Sequence, residues 1–220
     1  MDGVFITFEG VEGSGKSTQA EALKKRLASR GIPVTLTREP GGTRVGEEVR
    51  RILLDHDLLD HDHAGMAPLT ELFLYLASRA EHTAKIVRPR LESGEVVISD
   101  RYADASVAYQ GGGRELGDAF VESLNRRATF GVKPDVTFLL DLDPGDGLSR
   151  LAAARGETAR DRIEREAIEF HGRVRAAYLA AAEREPGRFV IIDARRPRGE
   201  IESAVSSRVD ELLSRQLRGR

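Results

Sequence analysis

Cysteine is absent from this 220-residue chain. A disulfide framework, a Cys-ligated zinc and a cysteine nucleophile are therefore excluded. Long apolar runs are missing too: no stretch approaches the ~18 apolar residues of a membrane span, and the opening MDGVFITFEG lacks the basic region and apolar core of a signal peptide. A cytoplasmic protein with no membrane partner is expected. Nor is there a block of one charge. The 34 Lys and Arg nearly cancel the 36 Asp and Glu to a net −2, with both signs spread along the chain, so nothing marks a nucleic-acid polymer as a partner. Neither a repeat nor a low-complexity linker interrupts the sequence, and 40% hydrophobic composition over this length suffices for one sizeable core. Residues 1–220 are expected to form a single domain. Lysine is scarce, confined to Lys16, Lys24, Lys25, Lys85 and Lys133 against arginine nearly everywhere, which makes Lys16 informative.

What is present is an alternation of two periodicities. Five short β-rich runs, VFITFE (4–9), VTLTR (34–38), VVISD (96–100), VTFLLD (136–141) and FVIID (189–193), read as buried strands. Between them, STQAEALKKRLASR (17–30), PLTELFLYLASRAEHTAKIVRPRL (68–91) and IEREAIEFHGRVRAAYLAAAERE (163–185) repeat apolar residues at spacings of three and four. Gly31 follows the first of these helices, Pro68 opens the second and Gly94 closes it. The pattern predicts an α/β fold of three layers, a five-stranded parallel sheet with helices on both faces. A charged, weakly apolar interruption, ARGETARDRIE (154–164), joins two helical patterns and is the candidate for a short lid.

The run GVEGSGKST (10–18) matches G-x-x-x-x-G-K-[ST] directly after a strand and directly before a helix, the context in which that pattern cradles phosphate. Gly10, Gly13, Ser14, Gly15 and Thr18 would offer backbone amides, the helix N-terminus adds ~0.3–1 kcal/mol per charge, and Lys16 supplies a point charge. Ser17 can ligate Mg²⁺. One residue runs against the pattern: Glu12 puts a carboxylate inside an anion-binding loop. The loop alone leaves GTPases, motor or repair ATPases and small-molecule kinases open. No N-K-x-D run of the guanine-specific kind is present, and a motor or repair ATPase needs more chain and a polymer-binding surface. Arginines far from the loop, Arg38, Arg79, Arg101, Arg155, Arg160 and Arg162, suit an enzyme with two phosphate-bearing substrates. The third strand ends in SDRY, which places Asp100 to hold Mg²⁺ through water and Arg101 to clamp an acceptor phosphate bidentately.

FITFEGVEGSGKSTQ (5–19), TREPGGT (37–43), PLTELFLYLASRAEH (68–82), DRYADASVAYQGGGR (100–114), PDVTFLLDLDP (134–144), ARDRIERE (159–166) and FHGRVRAAYL (170–179) together resemble the bacterial thymidylate kinases, in family order and over essentially the whole chain. DRY followed by AYQGGGR is the most specific of these, because the phosphate loop is shared by many folds. The resemblance implies a P-loop NTPase fold and transfer of the ATP γ-phosphoryl group to thymidine 5′-monophosphate, in a homodimer. It further implies that Arg101 bridges the acceptor phosphate and the transferring group, that Tyr75 stacks on the base where relatives carry Phe, and that Arg79 bonds a base carbonyl. Ser106 would meet the ring edge, Tyr109 would crowd the sugar 2′ carbon, and Gln110 and Arg38 would complete the acceptor site. Glu12 would point outward and accept from the sugar 3′-hydroxyl. With no arginine in the loop, Arg160 and Arg162 of the lid would supply the transition-state cation, and Arg155 would stack on adenine. Ala105 stands where relatives carry serine.

Periodicity by itself supports plainer roles for several of these. Tyr75 and Arg79, four apart on an apolar helix, look like core packing with a snorkelling arginine. Ser106 and Gln110 look like loop or helix-surface residues. The run DHDLLDHDH (55–63) alternates His56, His61 and His63 with acids but lacks a rigid spacing, so it reads as a solvated connector and not a metal site. His82 and His171 read as surface or packing residues, and the terminal RQLRGR as a frayed helix end.

Overall fold

Valine, isoleucine and phenylalanine in the five runs form strands over the bounds that the sequence indicates: β1 Val4–Glu9, β2 Val34–Arg38, β3 Val96–Asp100, β4 Val136–Asp141 and β5 Phe189–Asp193. In the computed structural model, which describes residues 3–54, 65–156 and 161–218, the strands pair in the order β2-β3-β1-β4-β5 and every pairing is parallel. Uniform burial holds for β1 and for most of β3 and β4. It does not hold for β2 and β5, which are half-buried, because each is a sheet edge with a neighbour on one side only.

Helices cover both faces, and the period of two along β1 sorts its side chains between them. Ile6 and Phe8 join Leu23 and Leu27 of α1 (Lys16–Ser29), Val174 and Tyr178 of α8 (Ile168–Arg184) and Val205 of α9 (Arg198–Arg218) in the main core. Phe5 and Val97 face the other way, onto Leu91 of α4 (Arg88–Glu92), Val87 and Tyr102. Each fully buried side chain of this kind contributes roughly 1.5–3 kcal/mol. Phe8 and Phe138 stack at the sheet centre, ring centroids 5.3 Å apart.

The helical reading needs three adjustments. The stretch after Pro68 is not one regular helix: α3 (Pro68–His82) passes through a π-helical turn, Thr83–Val87, into α4. The last stretch begins at Ile168 rather than at residue 163, since residues 163–167 turn under the site before α8 starts. Short α5 (Ala103–Ser106) likewise widens into a π-helical turn, Val107–Gly113, whose looser winding carries Tyr109 and Gln110. Three further helices, α2 (Arg44–Leu54), α6 (Asp118–Ala128) and α7 (Pro144–Arg155), complete the covering layers. The histidine-aspartate run 55–63 lies outside the described residues. Among the described residues no helix is long and apolar enough to cross a membrane, and no group of three or more His, Cys, Asp or Glu could hold a metal ion.

Phe8 of β1 pairs with Asp100 of β3, so the loop after β1 and the Asp100–Arg101 turn after β3 leave the sheet side by side at its carboxyl edge. That is where open parallel sheets bind ligands.

Candidate active site

The turn from β1 into α1 is made of backbone that side chains rarely tolerate. Gly15, the residue before α1, lies at φ 93. Gly13, at φ 69, approaches α7 so closely that a Cβ there would lie 2.1 Å from the Gly147 carbonyl oxygen. Lys16 folds back into the loop, where Nζ donates to the Val11 carbonyl (2.8 Å) and to Ser14 Oγ (3.4 Å). Burial, with Arg101 adding to it, pushes the Lys16 ammonium down to about 8, against the pull of Asp100, Glu12 and Glu9. The Ser17 hydroxyl donates to Asp100 Oδ2, joining the loop to the end of β3. A cavity of about 550 Å³ opens over this junction.

Arg101 sits at its centre. Its backbone lies at φ 71, and four bonds hold its guanidinium: Nη1 donates to the Gly10 carbonyl (2.9 Å) and the Tyr178 hydroxyl (3.1 Å), Nη2 to Glu12 (2.8 Å) and the Tyr109 hydroxyl (3.0 Å). Tyr109 in turn donates to Glu12 at 2.7 Å, and its ring lies under the guanidinium. Glu12 therefore lines the cavity but is neither solvent-facing nor free: at 12% side-chain exposure it is the counter-ion of Arg101. Burial works against its charged form, yet Arg101, Lys16 and the Tyr109 hydroxyl outweigh it and hold the carboxyl below the usual range.

Of the residues expected to bind an acceptor, Tyr75, Ser106, Gln110 and Arg38 also line the cavity, with Ala105 beside them. Gln110 donates to Glu71 (2.8 Å), and Arg38 is clasped by both Glu47 oxygens. Arg79 is not part of the wall. It is 1% exposed and is spent on Glu39 (2.8 Å), Ser106 (2.8 Å), Asn125 (2.7 Å) and the Tyr102 carbonyl (2.9 Å). Because a guanidinium has no acceptor, the Ser106 oxygen that takes its hydrogen must aim its own proton elsewhere. Glu39 also meets His82 Nδ1 (2.8 Å), whose other nitrogen bonds Thr37, so His82 is a buried packing residue at 0% exposure.

In the segment expected to form a lid, Arg162 donates to the Leu53 carbonyl (2.8 Å) and to Glu71 (2.6 Å) and does not line the cavity, whereas Asp161, Ile163 and Glu164 do. Arg160 lies outside the described residues, as does the side chain of Arg155. Sequence reasoning missed Glu9, Glu39, Glu71, Arg150, His171 and Tyr178. Glu9 shows no exposure, His171 and Tyr178 only 1% each; His171 Nδ1 stands 3.6 Å from Glu12, and burial lowers its ring below the usual range. Such residues look like core in a one-dimensional pattern. For His171 and Tyr178 the available signal was their spacing of seven, two turns of α8 on one face.

A glycine-rich anion loop after the central strand of a parallel sheet, with an acid at the end of the strand beside it and an arginine directly after, defines a P-loop nucleotide-binding protein. Residues 8–205 match the family model described as thymidylate kinase. The thymidylate kinase of Leifsonia xyli subsp. xyli is 51% identical over 208 residues, covering 94% of this chain and 95% of that one. That of Halothermothrix orenii is 47% identical over 213 residues, covering 97% and 99%. Among solved structures, thymidylate kinase from Ehrlichia chaffeensis superposes with a TM-score of 0.69 at 35% identity, over 87% of this chain and 93% of that one. The chain belongs to the thymidylate kinase family and is thus an ATP-dependent kinase.

Proposed function

We propose that the chain transfers the γ-phosphoryl group of ATP to thymidine 5′-monophosphate, a step toward thymidine triphosphate, by holding two phosphates in one cavity. The observation that carries this reading is that Lys16, at the start of the helix that follows β1, and Arg101, just after the neighbouring β3, line the same cavity. In it the loop amides and Lys16 bind the ATP phosphates and Arg101 bridges to the acceptor phosphate. Phosphoryl transfer asks the protein for position and positive charge rather than covalent chemistry, which is what this arrangement supplies. Ser17 and Asp100, hard oxygen donors already in contact, fit Mg²⁺, which would neutralise charge on the nucleotide phosphates. Tyr75, Ser106 and Gln110 face the base, Tyr109 excludes a 2′-hydroxyl, and Arg79 orients Ser106 from behind. Arg160 and Arg162 are the lid cations of this reading and Arg155 the adenine support; Arg162 must first leave Glu71. A cytoplasmic homodimer completes it.

An acceptor screen with ATP and Mg²⁺ tests the whole. Thymidine monophosphate is expected to exceed its ribose analogue and every other monophosphate in kcat/KM, and Lys16→Ala to abolish nearly all turnover. ATP hydrolysis without any need for a monophosphate would mean a switch ATPase, and a stronger response to another acceptor would mean a different nucleotide kinase.

A further inference from the structure

The two edges of the Arg101 guanidinium differ. Glu12 and Tyr109, which hold Nη2, line the cavity with Arg101 itself. The Nη1 edge is turned into the protein, onto the Gly10 carbonyl and the Tyr178 hydroxyl, and Tyr178 is not part of the cavity wall. An entering phosphate therefore meets the Nη2 edge, where a carboxylate already occupies the place of an anion. Whatever keeps Arg101 in place once that carboxylate yields has to act from the other edge.

A relay lies behind it. The Tyr178 hydroxyl accepts from Arg101 and donates to Glu9 Oε2 at 2.7 Å, and Glu9 Oε1 accepts the Tyr102 backbone N–H at 2.7 Å. That N–H directly follows Arg101, whose backbone lies in the left-handed region that a non-glycine residue holds only when its surroundings fix it. Two more bonds pin the same turn, Arg101 N–H to the Phe8 carbonyl (3.0 Å) and Ser99 Oγ to the Arg101 carbonyl (2.7 Å). We infer that Glu9 and Tyr178 are positioning residues for phosphoryl transfer, one carboxyl group holding the Arg101 backbone directly and its Nη1 edge through the tyrosine, so that the Nη2 edge stays aimed at phosphate.

Simple packing does not account for this pair. Glu9 has no exposure and, among the described residues, no cation within bonding distance, and burial, with Asp104 adding to it, pushes its carboxyl up to about 8. Apolar side chains of similar volume would fill the space without that desolvation cost. The geometry gives Glu9 a task instead: both its oxygens lead to Arg101 or to the residue after it.

The inference rests on Arg101 as the phosphate clamp, so the test separates the two. Tyr178→Phe removes one oxygen and leaves a ring that can keep its edge contact with Tyr109, now at 6.1 Å between centroids. Steady-state kinetics in the purified enzyme should show kcat lowered roughly 10-fold or more and the KM for thymidine monophosphate raised a few-fold, with the KM for ATP within about 2-fold. Above about pH 8, where the Glu9 carboxyl is ionised, Glu9→Gln should reproduce this split, because an amide that still accepts from Tyr102 presents a donor to Tyr178 and reverses the relay. It also carries the test should Tyr178→Phe fold poorly in a thermal melt. Added to Arg101→Ala, Tyr178→Phe should cost nothing further. Wild-type kcat in folded Tyr178→Phe and Glu9→Gln, or a second full loss in the Arg101→Ala background, overturns the positioning role. Undiminished turnover in Arg101→Ala alone overturns the clamp, and the relay with it.

Discussion

Lys16 shows how far a motif residue is set by its surroundings. The pattern identifies it, but its proton affinity depends on burial and on Arg101, 85 positions away in the chain. In the ligand-free enzyme the ammonium is charged below about 8 and loses its charge as pH rises through that value; bound phosphate favours the charged form and moves the loss upward. The pH profile of kcat/KM for ATP, which reports free enzyme, should therefore fall above about pH 8 while kcat stays level further into the alkaline range. Lys16→Arg, permanently charged, should lose this alkaline limb at a lower overall rate. A kcat/KM for ATP that is flat to about pH 10 would mean that Lys16 is not depressed. Ser17 and Asp100 were readable in the same way, from position after a strand. Glu12 was not: its spacing says only that it sits in the loop, and its partners Arg101, Tyr109 and His171 come from three other segments.

Among elements, the phosphate loop and α7 interlock. A Cβ on Gly147 would lie 2.2 Å from the Glu12 carbonyl oxygen, the reciprocal of the Gly13 contact, and both near atoms are backbone that cannot turn aside. Gly147→Ala is expected to cost about 1–3 kcal/mol of overpacking, or about 2–10 °C in Tm for a chain of this size, and to raise the KM for ATP by displacing the loop. A variant with unchanged Tm and unchanged ATP kinetics would show that the two elements part freely. Gly147 belongs to no motif. The glycines of the loop are legible because the pattern demands them, whereas Gly147 matters only because α7 lies against the loop. Similarly, α8 starts at Ile168, five residues later than apolar spacing suggests. Ile163 is buried without being helical, so its place in the periodic series reflects packing under the site and not helix.

At the scale of the whole molecule, α3 has two faces. Leu72 and Leu76 pack inward, while Leu69 and Phe73, one turn apart, are 43% and 52% exposed. Phe120 of α6, the helix α3 packs against, is 45% exposed. An exposed apolar face on a helix layer is what a two-fold dimer buries, and the proposed homodimer is expected to pair through this one. Phe73→Glu should shift the protein from dimer to monomer in sedimentation velocity, with kcat changed less than oligomeric state because Phe73 is not in the cavity wall. A wild-type protein that sediments as a monomer, or a variant that stays dimeric, would place the interface elsewhere or remove it.

Local pattern determined the five strands, the phosphate loop and the acid and arginine at the end of β3, because each is a matter of neighbours within a few residues: a period of two, a glycine before a helix, a strand end. What tertiary structure decided is where long side chains spend their hydrogen bonds. Arg79 turned from the cavity to Glu39 and Asn125, Arg162 settled on Glu71, and Glu9 and Tyr178 came together from positions 169 residues apart. A buried donor or acceptor must find a partner or cost about 1–3 kcal/mol, and which partner is in reach is known only when the strands have been ordered and the helices laid over them.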